Sequence, residues 1–102
     1  MGIPNLEFKM SDNEHDSFNK AVEAVRGERK FQLSLSKSDH FPNMVKKLSV
    51  GDTITAIDLN LMKAKAAWYI GSNDHPDAMK YLRKIAALCI QAGENYNFPE
   101  RE

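Results

Sequence analysis

At 102 residues the chain has room for one domain that hides about 65% of the surface its unfolded form would expose, so a subunit interface would add usefully to its core. Lys and Arg together number 14, as do Asp and Glu; with a formal net charge of zero, attraction of long nucleic acid by overall charge is excluded, and only a local basic patch remains. One cysteine, Cys89, excludes an internal disulfide, and no run approaches the ~20 apolar residues that cross a bilayer, so no membrane partner is expected.

Residues 1–10 (MGIPNLEFKM) lack the apolar run of a secretory signal, which makes the cytoplasm the expected compartment. They read as an N-terminal arm packed through Leu6 and Phe8, ahead of a single domain over 11–102. Ser11 and Glu14 have the spacing of a capping box, which satisfies two free amides at a helix start. Phe18, Ala21, Val22 and Val25 then recur at helical spacing and predict a first helix from Asp12 to Arg26, weakened at Gly27. Phe31, Leu33 and Leu35 alternate with polar residues as a strand does. A lone short strand has no partner, so a helical continuation running into a loop is preferred. Ser36 to Pro42 reads as that loop, and Asn43 to Leu48 as a short helical turn.

Two longer helices follow. Ser49 is the expected N-cap of the first, with Asp52 in its first turn where the helix dipole favours an anion. Val50, Ile54, Ile57, Leu61, Ala64 and Trp68 form its main apolar stripe. Gly71, Ser72, Asn73 and Asp74 break it, and Pro76 suits the first turn of the next helix because its missing N–H has no partner there. Ala78, Leu82, Ile85, Cys89, Ala92 and Tyr96 form the stripe of this last helix, which Gly93 and Asn95 loosen and Pro99 stops. Cys89 on that stripe reads as a small core residue. A second stripe on the long helix, Leu59, Met62, Ala66 and Ile70, lies about 150° from the first at ~100° per residue. A helix apolar on two sides is sandwiched. The expectation is an all-α bundle whose long central helix is covered on both sides, by the first and last helices or by a second copy in a homo-oligomer, with Trp68 and Tyr69 as a contact surface.

The stretches SVGDTITAIDLNLMKAKAAW and YLRKIAALCIQAGENYNFPER, with GERKFQ at 27–32, resemble phage-borne relatives of the MazG-like all-α nucleoside triphosphate pyrophosphohydrolases. The resemblance covers about Gly27 to Arg101. It implies a four-helix core assembled from paired chains, in which acidic side chains on two helices hold Mg²⁺ against nucleotide phosphates. Mg²⁺ is a hard ion that requires oxygen ligands. Aligned on the flanking segments, the family's five acidic positions fall on Leu59, Asn60, Lys63, Tyr81 and Lys84. None is a carboxylate, and Asp58 alone does not make a metal site.

The resemblance therefore implies the fold without its usual hydrolysis. No catalytic residue, metal or cofactor is assigned. One reading is a decayed site, with Lys63 and Lys84 as solvated lysines on a structural or protein-binding module that uses its apolar helix faces to inhibit a host protein. The sharper reading is a non-catalytic pocket for a nucleotide or other phosphorylated small molecule, in which Lys63 and Lys84 replace the metal's charge. There Asn60, Lys80 and Arg83 add polar contacts, Tyr81 stacks on a base, and Arg29 and Lys30 close over the phosphates. Through its phage setting, the resemblance implies a viral anti-defence sponge in the host cytoplasm. Mg²⁺-dependent hydrolysis ranks third. His15, His40 and His75 lie beside loops or caps without thiolate help and read as solvated, and Ser34, Ser36 and Ser38 sit in no nucleophile elbow.

Overall fold

A computed structural model describes residues 11–36, 48–71 and 75–101. The described residues are all-helical: α1 spans Asp12–Ser36, α2 spans Val50–Lys65 and runs on through a wider π turn at Ala66–Ile70, and α3 spans His75–Tyr96. The arm at 1–10, the loop after Ser36 and most of the turn expected at Asn43 to Leu48 fall outside the described residues. So do His40 and the break at 72–74. No described helix is long and apolar enough to cross a membrane.

The starts of the helices follow the sequence. At α1 the Ser11 amide donates to Glu14 Oε1 at 3.0 Å, and the Glu14 amide donates to Ser11 Oγ at 3.2 Å. That reciprocal pair holds the Glu14 carboxyl below its ordinary range, chiefly through the backbone bond from Ser11. Ser49 caps α2 by accepting the Asp52 amide at 3.0 Å. Lys63 and Lys65 in the last turn of α2 complement its dipole.

The helix ends also follow, with one shift. α1 continues through Gly27 to Ser36, the helical continuation preferred there over a strand, and Glu28 within it pairs with Arg83 of α3. α3 runs through Gly93 and Asn95 to Tyr96, the last residue of its expected stripe, and ends ahead of Pro99. Its stop is Asn97, whose φ of 63° is left-handed and whose amide donates to Gly93 O at 2.9 Å. Phe98 folds back onto Gly93 so closely that a Cβ there would run into its ring. Glycine at that position admits an aromatic cap.

The π turn has a similar local cause. The Gly71 amide reaches back five residues to Ala66 O at 3.0 Å, and a Cβ on Gly71 would lie 2.9 Å from Ala67 O. Trp68, expected in the core, is half-buried and meets the His75 ring edge-on at 4.5 Å between centroids, tying the end of α2 to the start of α3.

One of the two expected arrangements is overturned. Within a single chain the helix packed on two sides is α3, which meets both α1 and α2, while α1 and α2 make no packing contact with each other, so the first helix does not cover α2. The face of α2 turned to α3 is also rotated from the expected main stripe. Thr53 and Ala64 are buried there, and Ile57, Asn60 and Trp68 are half-buried. Polar atoms on this face are satisfied within the helix, Thr53 Oγ1 donating to Ser49 O at 2.9 Å and Asn60 Nδ2 to Ala56 O at 2.9 Å. Val50, Ile54 and Leu61 remain exposed on one flank. On the other flank the second stripe is uncovered, with Leu59 52%, Met62 59% and Ile70 84% exposed. Thr53 and Ala64 sit deepest against α3, flanked by half-buried Ile57, Asn60 and Trp68, while Leu59, Met62 and Ile70 are left outside.

Candidate functional site

The sequence-predicted cations separate into distinct environments. α1 and α3 bring Arg83 and Lys84 together around Glu28, which is only 7% exposed. Arg83 Nε donates to Glu28 Oε1 at 3.0 Å, and Lys84 Nζ lies 3.7 Å from Glu28 Oε2. These groups, with Ala24, Gly27 and Phe31, line a cleft of about 490 Å³. Its formal charge is one positive unit, since two cations face one carboxylate. A buried carboxylate is tolerated only with such partners, and the two cations hold α1 against α3. An incoming phosphate would have to compete with Glu28 for both.

Lys80 and Tyr81 lie one turn earlier on α3. Lys80 Nζ is 3.0 Å from Asp77 Oδ1 and 4.9 Å from the Tyr81 ring centroid. The hydrogen bond to Asp77 raises the Lys80 pKa above its ordinary value, so the group stays cationic. Arg29 belongs to a different feature, where its Nε donates to Glu94 Oε1 at 2.7 Å. Lys30 is exposed on α1. Asn60 and Lys63 sit on α2 and do not line the Arg83–Lys84 cleft, which is built from α1 and α3 alone. Lys63 is exposed, and Asn60 is turned onto its own helix. Of the eight, Arg83 and Lys84 line this cleft and Arg29 lines a separate groove, and neither is lined by Asn60, Lys63, Lys80, Tyr81 or Lys30.

A Mg²⁺ site of the kind implied by the resemblance does not fit these residues. Among the described residues no three of His, Cys, Asp and Glu are grouped to hold a metal ion. The α3 position that would carry a ligand is occupied by the Lys84 ammonium, whose neighbour is Glu28.

The residue that sequence reasoning missed is Glu28. It entered only as part of GERKFQ, yet it organises the cationic cleft. Its signal was the four-residue spacing to Gln32, which places two polar groups on the face α1 buries. Gln32 Oε1 is itself buried with no hydrogen-bond partner among the described residues.

On the other side of α1 a second groove, of about 620 Å³, opens between α1 and α3. Phe18, Val22 and Val25 form one wall and Cys89, Ile90 and Phe98 the other, with the Arg29–Glu94 pair also lining it. Its chemistry is apolar recognition, in contrast to the charged cleft. The chain matches no protein-family model, no curated protein and no solved structure.

Proposed function

We infer that the chain is a non-catalytic interaction module that works through its apolar helix faces. The observation that carries this reading is the exposed second stripe of α2, where Leu59, Met62 and Ile70 face outward while Thr53, Asn60 and Ala64 face α3. Exposed contiguous apolar surface of this kind marks an interaction site. The resemblance to MazG-like chains, which implies paired subunits in the cytoplasm, accords with a face made to be covered.

The Leu59→Glu, Ile70→Glu double variant tests this. Both positions are exposed, so helix content should be unchanged while self-association or capture of a protein partner is lost. A wild-type chain that neither self-associates nor binds a protein, at any concentration reached, contradicts the reading.

A second reading rests on the Arg83–Lys84 cleft, where the exposed Phe31 ring stands beside two cations. In it the chain is a viral anti-defence sponge that sequesters a nucleotide signal without cleaving it, the phosphate taking the place of Glu28. Saturable binding of a nucleotide in EDTA, lost on Lys84→Glu, would favour it. Mg²⁺-dependent turnover would instead support the hydrolase reading.

A further inference from the structure

We propose that the apolar groove between α1 and α3 is the seat of the chain's own N-terminal arm, residues 1–10, lying along it as an extended segment antiparallel to α1. This stands apart from the interaction-module reading. It gives the groove an occupant and leaves the second stripe of α2 as the face open to a partner.

Direction and reach favour the arm. Ser11 opens α1 on the groove's own side, within about 40° of Phe18, Val22, Val25 and Arg29 at ~100° per residue. Its reciprocal bonds with Glu14 fix where the preceding chain enters. From Ser11 to Arg29 along α1 is about 27 Å, and the ten residues of the arm reach about 33 Å when extended. The arm therefore spans the groove. Residues 37–47 are tethered at both ends, since they must join Ser36 to Leu48, whose carbonyl accepts the Tyr96 hydroxyl at 2.7 Å.

Pattern and chemistry agree with the geometry. Leu6, Phe8 and Met10 alternate with Asn5, Glu7 and Lys9, so in an extended chain the three apolar side chains share one face. At about 3.3 Å per arm residue against 1.5 Å per helical residue, Phe8 comes level with Phe18, and Leu6 with Val22. Both cations that line the groove are already held, Arg26 by Glu23 at 2.9 Å and Arg29 by Glu94 at 2.7 Å. Apolar contact is what the groove has left to offer.

Cys89, the only cysteine, lines the groove and reports whether it is covered. The experiment measures the rate of Cys89 labelling by a thiol reagent in three full-length chains: the wild type, the Leu6→Asp, Phe8→Asp double variant, and the Asn5→Ala, Glu7→Ala double variant. Circular dichroism establishes that each keeps its helices. The expected result is slow labelling of the wild type at every protein concentration, acceleration of ~10-fold or more with the two aspartates, and no change with the two alanines. Nuclear Overhauser contacts in the wild type should join Phe8 to Phe18 and Leu6 to Val22, a readout that needs no variant. Wild-type labelling of the aspartate variant, or equal acceleration in both variants, overturns the proposal. Protection that grows with protein concentration gives the groove to a second copy, and contacts from Phe41 or Met44 give it to residues 37–47; either also overturns it. None of these outcomes touches the module reading, which is tested at Leu59 and Ile70.

Discussion

The two seams that α3 makes are built from different materials. Against α2 it meets small and locally satisfied residues, Thr53, Asn60 and Ala64, with an edge-on Trp68–His75 contact at the helix ends. Against α1 it relies on ion pairs, Glu28 with Arg83 and Lys84 and Arg29 with Glu94, with an open groove on each side. The first seam depends on close approach and the second on charge. The α2–α3 seam is therefore expected to open last, with α1 latched to α3 by charge.

Overpacking the first seam should have the largest effect. Ala64→Leu adds bulk where α2 already touches α3, and a loss of about 3 kcal/mol is expected in chemical denaturation. Removing the latch comes next. Glu28→Gln takes the charge from a buried group and should cost about 2 kcal/mol, discounted because Arg83 and Lys84 are partly exposed. Hydrogen exchange should show α1 amides opening while those of the α2–α3 hairpin stay protected; equal loss in both seams would erase the distinction between them. Ser49→Ala removes the α2 cap and should cost about 1 kcal/mol, again without loosening α1.

The smallest effect is one of pH. The folded-state pKa of Glu14 is depressed by its bonds from Ser11, so its contribution is complete above the ordinary carboxylate range and is lost as pH falls through the folded value. Acid titration followed by NMR should fray the first turn of α1 in that window. Ser11→Ala should shift the fraying toward ordinary Glu behaviour.

What could be read from the sequence was local. The capping box, the Ser49 cap, Pro76 in the first turn of α3 and the all-helical character follow from side chains acting on their own backbone. What could not be read depends on pairs distant in sequence. Gly27 and Gly93 looked like weak points, but tertiary contact overrides their low helix propensity: Glu28 fixes one turn of α1, and Phe98 covers the other glycine. The rotation of α2 was hidden because its most buried residues, Thr53 and Ala64, are small and do not stand out in an apolar repeat. Of the site, the pairing of Lys84 with a carboxylate 56 positions away could not be anticipated from helical spacing, whereas the uncovered second stripe was visible as a repeat.

The central claim is that the cations of α1 and α3 hold the fold and the apolar faces hold the partner. Calorimetric titration of the wild-type chain with a panel of linear and cyclic nucleotides in EDTA tests it most directly. Because Glu28 already occupies Arg83 and Lys84, heats no larger than dilution are predicted across the panel. Saturable, stoichiometric heat with any nucleotide, abolished by Lys84→Glu in a chain that remains folded, would contradict the account.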